Sequence, residues 1–280
     1  MRYHTAVFDL DGTLLDTLQD LADSTNYALT VNGLPGRTLD EVRRFVGNGV
    51  GRLMARAVPE GTPEALAAKC LSDFRAHYFL NMENKTAPYP PIVQILDRLG
   101  RAGFHLPVVS NKFDSAVKGL CQAYFGDLIP VAIGESQGVE RKPAPDTVFK
   151  ALKDLGVPAE GAVYIGDSDV DIATARNAGL PCISVSWGFR DEAFLLAHGA
   201  TEIVSSPDGL YAALTAVSWA KEYKTRGTGK KPRVRAFFLV ITPAVGIERR
   251  HAAPRPCEDT ARGSSSTGCT CRCQSAPGGF

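Results

Sequence analysis

Two aspartates near the N terminus, Asp9 and Asp11, are the residues of this chain best suited to chemistry. They follow a short apolar run at positions 5–8 that predicts a buried strand. Gly12 lets the backbone turn sharply just after them. Two carboxylates this close repel each other unless they share a proton or a cation lies between them. Open α/β sheets bind ligands at the carboxyl ends of their strands, so the segment predicts a site for a metal ion and an anionic substrate.

An Asp-x-Asp-Gly sequence also occurs in calcium loops and in β-hairpin turns. A calcium loop needs glycine at its sixth position and glutamate at its twelfth. Counting from Asp9 reaches Leu14 and Asp20, which excludes that interpretation. A hairpin turn stays open if this segment is considered alone.

Two later segments supply polar groups suited to a phosphate, one after another apolar run and one after a Gly-rich connection. Ser110 and Asn111 follow the run at 106–109, and Ser110 offers a hydroxyl to a phosphate oxygen. Lys142 lies between an arginine and a proline, just before a helix predicted over 146–155, and can act as a fixed point charge for a phosphoryl group. Taken singly, the two segments also fit a helix cap and a solvated lysine.

A fourth segment again joins an apolar run, 162–166, to carboxylates. Asp167 would complete an oxygen-rich cluster of the kind that Mg²⁺ prefers. Asp169 and Asp171 fall in the first turn of the next predicted helix, where negative charge is favourable, so helix capping remains an alternative for both.

Strands and helices alternate around these segments, which predicts an α/β fold with a Rossmann-like parallel sheet and helices on both faces. Such a sheet would bring all four segments to one edge. Residues 16–86 carry helical signals instead, including a capping box from Thr38 to Glu41, and predict a small all-helical cap domain inserted into a catalytic core of residues 1–15 and 87–220. An apolar stripe in its last helix is predicted to be bundle core; its members are Leu66, Cys70, Leu71, Phe74 and Tyr78.

The four segments together resemble the four motifs of the haloacid dehalogenase-like superfamily, over residues 1 to about 214. The matching motifs are Asp9-x-Asp11-Gly12-Thr13, Ser110-Asn111, Lys142-Pro143 and Gly166-Asp167-Ser168-x-x-Asp171. The resemblance implies that Asp9 is a nucleophile forming an aspartyl-phosphate and that Asp11 is the general acid and then the general base. The family's dehalogenases lack an acid at the second position and its transport ATPases carry threonine there, so Asp11 favours a phosphatase or a phosphomutase.

The same resemblance implies roles for the remaining motif residues. The Asp9 carboxylate, the Asp11 backbone carbonyl and Asp167 would hold Mg²⁺. Asp171, with Ser168 beside it, would orient Lys142 or metal-bound water. The cradle of the transferring phosphoryl group would consist of Thr13, Ser110, Asn111 and Lys142.

Two loops suggest the substrate. Gly47, Asn48 and Gly49, followed by Arg52, resemble the cap loop of phosphoglycolate phosphatases, and so does the segment 184–190 that ends in Arg190. The resemblance implies 2-phosphoglycolate as substrate, and the basic candidates for its second anion are Arg43, Arg44, Arg52 and Arg190. Other small phosphoesters or pyrophosphate, a phosphomutase of the same superfamily and a non-catalytic binding protein remain as alternatives.

Composition and charge agree with an enzyme of this size. Apolar residues make up 44% of the 280 residues, enough to bury a full sheet and a cap. No apolar stretch reaches transmembrane length and no signal peptide precedes the first strand, so a cytoplasmic enzyme without a membrane partner is expected, as a monomer or homodimer. From position 221 onward 12 Lys and Arg face 4 Asp and Glu, a net charge of +8 that leaves −7 for residues 1–220. This acidic body argues against nucleic acid as a partner.

Residues 221–280 do not continue the fold pattern. They are basic, rich in Gly, Ser, Pro and Arg, and lack sustained periodicity, which predicts a disordered tail. Their four cysteines, Cys257, Cys269, Cys271 and Cys273, lack the paired spacing of common zinc sites.

Overall fold

The computed structural model describes residues 3–216, so the predictions for the tail at 221–280 lie outside the described residues. The strands are β1 (Thr5–Phe8), β2 (Leu15–Asp16), β3 (Ala87–Pro88), β4 (Val108–Phe113), β5 (Ala132–Glu135), β6 (Ala162–Gly166), β7 (Cys182–Val185) and β8 (Ile203–Val204). The helices are α1 (Leu18–Val31), α2 (Leu39–Phe45), α3 (Gly49–Ala57), α4 (Glu64–Asn81), α5 (Ile92–Arg101), α6 (Asp114–Phe125), α7 (Asp146–Leu155), α8 (Asp169–Asn177), α9 (Glu192–Ala197) and α10 (Pro207–Thr215).

Six strands form one parallel sheet in the order β5-β4-β1-β6-β7-β8. The chain builds from β1 outward to β4 and β5, and then crosses to the other side of β1 to add β6. The carboxyl ends of β1 and β6 therefore flank the point where the strand order reverses, which is where open α/β sheets bind ligands. This architecture confirms the predicted α/β class with a Rossmann-like parallel sheet.

Both faces of the sheet are covered, which explains why its central strands are continuous apolar runs. Every residue of β1 and of β6 is buried. Neighbouring residues of a strand point to opposite faces, so Val7 and Tyr164 pack with residues of α7 and α8 while Phe8 and Ile165 belong to the core on the other face. This double burial anchors the two strands that end at the site.

Helices α1 to α4 form an insertion between β2 and β3. These two short strands pair antiparallel, Leu15 with Pro88 and Asp16 with Ala87, so the insertion leaves and rejoins the sheet domain at one place. The predicted capping box at the start of α2 is present, because Thr38 and Glu41 exchange hydrogen bonds. None of the helices in residues 3–216 is long and apolar enough to cross a membrane.

Strand β4 departs from the sequence expectation. The apolar run predicted a strand ending near Ser110, whereas β4 continues to Phe113 and its register with β5 shifts between Val109 and Phe113. Regular alternation would turn every second side chain away from the site. Across this irregular stretch Ser110, Asn111 and Lys112 are all buried, and all three line the same cavity.

Candidate active site

Asp9 and Asp167 are brought together by the pairing of β1 with β6. Phe8 lies opposite Ile165, and the N–H of Asp9 donates to the Ile165 carbonyl at 2.9 Å. Strands β1 and β6 therefore end side by side, and the carboxylates of Asp9 and Asp167 that follow them are both buried. Sequence reasoning anticipated this juxtaposition from the strand ends.

Lys142 joins this pair from the segment before α7. Its Nζ lies 2.8 Å from Asp9 Oδ1 and 2.8 Å from Asp171 Oδ1, and it donates to the Tyr164 hydroxyl at 3.0 Å. The lysine is 5% exposed. A compact ammonium with three donors suits this arrangement of three acceptors around one point.

Asp171 serves both of the purposes that the sequence left open. It caps α8, because its Oδ2 accepts from the N–H of Ser168 at 3.1 Å and from the Ser168 hydroxyl at 2.6 Å. Its Oδ1 accepts from Lys142 and from the Tyr164 hydroxyl at 2.9 Å. Both oxygens are thus committed to protein donors, and the carboxylate fixes the position of the Lys142 amine.

Burial sets the electrostatics of the cluster. Desolvation, and next the nearby Asp171 charge, raise the pKa of Asp9 well above its usual value, against the opposing effect of Lys142. The same two causes raise the pKa of Asp167 to about 7. Burial alone would lower the pKa of Lys142, but Asp171 and Asp9 hold it above its ordinary value, so the amine stays charged. One ammonium is shared among three carboxylates, and the cluster has an excess of negative charge.

A divalent cation fits this excess. Oxygens of Asp9, Asp167 and Asp171 lie within 4.8 Å of one another. Since the donors from Lys142, Tyr164 and Ser168 already occupy Asp171, Asp9 and Asp167 are the carboxylates that could hold the ion. An all-oxygen donor set of this kind favours a hard cation. The predicted contribution of the Asp11 backbone carbonyl stays a prediction.

The predicted phosphate-binding residues fall into two groups. Ser110 and Asn111 line the cavity with Lys142, and Asn111 Nδ2 donates to the Lys142 carbonyl at 3.0 Å. Thr13 is fully buried, and its hydroxyl lies 3.4 Å from Asp167 Oδ1, where it can orient that carboxylate. A direct role for Thr13 in phosphate binding stays a prediction.

Asp11 is held by residues for which sequence analysis predicted no role. Its Oδ1 lies 2.8 Å from Lys112 Nζ and accepts from the Thr17 hydroxyl at 2.7 Å. Lys112 Nζ also donates to the Tyr78 hydroxyl at 2.6 Å. Tyr78 is a member of the apolar stripe predicted as bundle core. It is fully buried, as expected for core, but its hydroxyl reaches the site.

The loop between α2 and α3 lies over the cavity. Gly47 and Gly49 line it, and the Gly47 carbonyl accepts from Asn111 Nδ2 at 3.3 Å. Asn48 and Arg52 are not among the lining residues, and Arg52 is exposed. Their predicted part in substrate specificity stays a prediction.

Arg190 lines the cavity but its guanidinium is already engaged. Nη1 donates to the Arg43 carbonyl at 2.7 Å, and Nη2 donates to the Val46 carbonyl at 2.7 Å and the Arg44 carbonyl at 3.3 Å. These carbonyls lie at the C-terminal end of α2, where a positive charge is favourable. Arg190 therefore fastens the inserted helices to the sheet domain.

The loop that carries Arg190 also contacts the carboxylate cluster. The N–H of Phe189 donates to Asp167 Oδ2 at 2.6 Å, and the Trp187 indole donates to the Thr13 carbonyl at 3.1 Å. A side chain at Gly188 would overlap the Gly12 carbonyl and the Asp167 carboxylate. A glycine is needed here because the backbone passes directly against the site.

A parallel α/β sheet with a carboxylate and lysine cluster at the carboxyl end of its strands defines an enzyme that acts on an anionic group. The chain belongs to the haloacid dehalogenase-like hydrolase family, whose sequence model matches residues 6–185. This confirms the family expected from the four motifs.

Several proteins similar to this chain are named phosphoglycolate phosphatases. A phosphoglycolate phosphatase of Mesorhizobium japonicum is 35% identical over 190 residues, which cover 66% of this chain and 83% of that protein. The phosphoglycolate phosphatase of Aquifex aeolicus is 36% identical over 188 residues, with 65% of this chain and 84% of that protein covered. A crystal structure from Lactobacillus delbrueckii subsp. bulgaricus, provisionally assigned as a phosphoglycolate phosphatase, matches with a TM-score of 0.74 at 37% identity and covers 76% of this chain and 99% of that one.

Proposed function

We propose that this protein is a Mg²⁺-dependent phosphomonoesterase that forms an aspartyl-phosphate on Asp9 and converts 2-phosphoglycolate to glycolate and phosphate. The observation that carries the proposal is the setting of Asp9: it lines the cavity, beside Asp167, with Oδ1 held 2.8 Å from Lys142. A carboxylate fixed in this way has its direction of attack set before the substrate arrives.

In the first half-reaction, an Asp9 oxygen attacks phosphorus and the bond from phosphorus to the ester oxygen breaks. Asp11, entering as the carboxylic acid, gives its proton to the departing oxygen and becomes a carboxylate. The alcohol leaves and the phosphoryl group remains on Asp9. Lys142, with Ser110 and Asn111 beside it, faces the negative oxygens of the group in transfer.

In the second half-reaction, water attacks the same phosphorus and loses a proton to Asp11. The bond from phosphorus to Asp9 breaks, phosphate departs, and both aspartates return to their starting states. General acid–base catalysis by a residue such as Asp11 typically contributes about 10²–10⁴-fold to the rate.

Asp9 and Asp167, with the Asp11 carbonyl, would hold Mg²⁺. When bound, the ion would neutralise the carboxylates and the phosphoryl oxygens so that the nucleophile and substrate can approach. The raised pKa values of Asp9 and Asp167 support this part of the proposal, because they show that the chain alone does not balance the charge of the two carboxylates.

The dimensions of the site support a small substrate. The cavity is about 50 Å³, room for roughly three to five waters at about 10–15 Å³ each. A phosphoryl group with a short appendage suits this space better than a nucleotide. The names of the similar phosphatases favour phosphoglycolate, and CbbY from Rhodobacter sphaeroides, 27% identical with a TM-score of 0.60, was crystallised in complex with phosphate.

We further propose that residues 16–86 act as a cap over a catalytic core of residues 1–15 and 87–220. Support comes from the loop at Gly47 and Gly49, which lines the cavity from the inserted helices, and from Arg190, which ties those helices to the sheet domain. A closed cap would exclude bulk water from the aspartyl-phosphate until the alcohol has left.

Phosphate release from a panel of esters, measured with Mg²⁺ and with EDTA, tests the proposal. The panel comprises 2-phosphoglycolate, p-nitrophenyl phosphate, pyrophosphate, sugar phosphates and nucleotides. We expect metal-dependent turnover with the highest kcat/KM on 2-phosphoglycolate. A preference for another ester would refute the substrate, and isomerisation of a sugar phosphate without phosphate release would indicate a phosphomutase.

The nucleophile is tested with Asp9→Asn, against Asp154→Asn as a control in an exposed ion pair with Lys150. Acid-quenched enzyme should yield a phosphorylated peptide containing Asp9, and the Asp9 variant should give neither that peptide nor turnover. Full activity of Asp9→Asn would refute the covalent mechanism.

A further inference from the structure

Lys112 is a buried cation that the reaction described above does not use. It is 5% exposed and lies in the irregular part of β4, directly after Asn111. Its Nζ lies 2.8 Å from Asp11 Oδ1 and 2.6 Å from the Tyr78 hydroxyl, and 4.6 Å from the centre of the Tyr78 ring. It therefore connects a tyrosine of α4 in the inserted helices to an aspartate of the sheet domain.

A gain in folding stability does not by itself explain why a lysine is buried at position 112. The desolvation of a buried ion pair offsets much of its Coulomb attraction, and an apolar pair of similar volume is often as stable or more so. The Lys112 Nζ lies between two oxygen partners, Asp11 Oδ1 and the Tyr78 hydroxyl, and close to the Tyr78 ring, which together suit a charged amine. The surroundings are thus built to keep a positive charge at this place.

The two oxygens of Asp11 have different surroundings. Oδ1 takes the short contacts, from Lys112 at 2.8 Å and from the Thr17 hydroxyl at 2.7 Å. Oδ2 accepts a longer hydrogen bond, from the Ser110 hydroxyl at 3.4 Å. Two strong donors on one oxygen fix the plane of the carboxyl group and leave the other oxygen available to exchange a proton.

We propose that Lys112 is a positioning residue for Asp11, and that Tyr78 seats Lys112 from the inserted helices. This inference rests on the proposed function, because it assigns Lys112 to the acid–base step of that reaction. Lys112 holds Oδ1 so that Oδ2 carries the proton to the departing ester oxygen as the bond to phosphorus breaks. Lys112 keeps its own proton throughout, and the balance of the step is that already given for Asp11 and Asp9.

The contact with Tyr78 also gives the inserted helices a part in the chemistry. Lys112 has a flexible four-carbon stem, and the Tyr78 hydroxyl and ring are what hold its Nζ against Asp11. When α4 is seated, the acid–base residue is therefore aligned. Misplacement of a reacting group by about 1 Å can cost about 10²-fold in rate.

The leaving group of the substrate distinguishes positioning of a general acid from a merely structural role. p-Nitrophenolate departs without needing a proton, whereas the alkoxide of 2-phosphoglycolate needs one. We therefore propose to measure kcat/KM for both esters with Lys112→Met, Tyr78→Phe and Asp11→Asn. Lys118→Met is the matched control, since Lys118 forms an exposed pair with Asp114 on α6.

We expect Lys112→Met to lower kcat/KM about 10²-fold on 2-phosphoglycolate and less than about 3-fold on p-nitrophenyl phosphate. Asp11→Asn should show the same selectivity more strongly, and Tyr78→Phe the same selectivity more weakly. Lys118→Met should match the unmodified protein on both esters. Thermal unfolding of each variant identifies those that fail to fold.

An equal loss on both esters, or no loss on either, would overturn the assignment of Lys112. If Lys112→Met does not fold, the ester selectivity of Tyr78→Phe, which removes one hydroxyl, decides in its place. If the unmodified protein hydrolyses neither ester, the proposed function fails and this inference fails with it. If it hydrolyses both and Asp11→Asn is selective while Lys112→Met is not, the inference about Lys112 alone is wrong.

Discussion

At the proposed Mg²⁺ site, the ion and protons would compete for the same carboxylates. Burial, and then the Asp171 charge, raise the pKa of Asp167 from 3.8 to about 7. Between about pH 4 and pH 7 the folded, metal-free protein therefore keeps a proton that the unfolded chain has lost. The contribution of Asp167 to the free energy of unfolding is therefore greatest at the lower end of this range and falls as pH rises, by about 1.4 kcal/mol per pH unit, or at most about 4 kcal/mol over the three units.

Metal binding reverses this dependence. A carboxylate ligand must be deprotonated, so below pH 7 each bound Mg²⁺ displaces about one proton. We expect the apparent Kd for Mg²⁺ to rise about tenfold for each pH unit below 7 and to level off above it. The pKa of Asp9 is also raised, so Asp9 should release a further proton wherever it is protonated and make the dependence steeper than Asp167 alone would.

The assay is urea unfolding at several Mg²⁺ concentrations between about pH 5.5 and pH 8.5. An ion at 100 times its Kd adds about 2.7 kcal/mol to the free energy of unfolding, which such curves resolve. Calorimetry in buffers of different ionisation enthalpy counts the released protons directly. This measurement does not depend on turnover, so it tests the site separately from the reaction.

Asp167→Asn removes one of the two carboxylates whose pKa is raised, so tight binding should be lost and the pH dependence of what remains should be shallower. Asp169→Asn is the matched control, because Asp169 lies in the first turn of α8 and is not one of the three clustered carboxylates. A Mg²⁺ affinity that stays constant from pH 5.5 to pH 7.5, with no proton release, would refute this account of the cluster.

Two other predictions concern the loop that joins the site to the inserted helices. Gly188→Ala should lower the free energy of unfolding by about 1–3 kcal/mol and weaken Mg²⁺ binding, because the added carbon meets the Gly12 carbonyl and Asp167. The control is Gly51→Ala in α3, where an added carbon meets open space. It should raise the free energy of unfolding by about 0.5–1 kcal/mol in the same urea experiment. Arg190→Met should lower kcat/KM on 2-phosphoglycolate about tenfold, as expected for loss of about 1.5 kcal/mol of charge-assisted hydrogen bonding, while Arg98→Met, in an exposed pair, should leave it unchanged. Equal effects of the two arginine changes would contradict the view that Arg190 fastens α2.

The parts of the site that follow from sequence are those fixed by the backbone. Asp9 and Asp167 each come directly after a buried run, and parallel pairing of two such runs leaves little freedom in where the next side chains lie. The capping box at Thr38 is likewise a local pattern, complete within four residues. Such features need no knowledge of the rest of the fold.

The contacts that were missed depend on side chains that meet from distant parts of the chain. Tyr78 and Lys112 are 34 positions apart and Lys112 and Asp11 are 101 apart, and none of the intervening segments carries a pattern that links them. The apolar stripe correctly predicts that Tyr78 is buried in the core. The contact of its hydroxyl with Lys112 depends on how α4 lies against β4, which no local pattern indicates. Lys112 followed the predicted end of a strand, where a solvated lysine would be ordinary. The register shift in β4, which buries it, has no local signature in the sequence.

For Arg190 the structure adds contacts that the sequence does not indicate, and its predicted part in substrate specificity stays a prediction. A basic residue in a loop near a phosphate site is a reasonable candidate for an anion, but three carbonyls at the end of α2 already use its donors. These bonds use three of its five N–H donors, and Nε is buried without a hydrogen-bond partner in residues 3–216, so a substrate anion could reach only the donors that remain.

Asp9 and Asp11 lie two residues apart, but each is paired with a different lysine, so their carboxylates have different charge environments. Asp9 is paired with Lys142 and Asp11 with Lys112, each at 2.8 Å, and the two lysines come from different segments of the chain. Lys142 is shared with Asp171, so the negative charge around Asp9 is only partly balanced and leaves room for a cation. Lys112 is shared with the neutral Tyr78, so Asp11 has a full positive charge to itself. In the proposed reaction, Asp9 would therefore depend on a metal for charge balance, whereas the Asp11 side chain is held by Lys112 and Thr17. We expect removal of Mg²⁺ to abolish turnover and to leave these side-chain contacts of Asp11 in place.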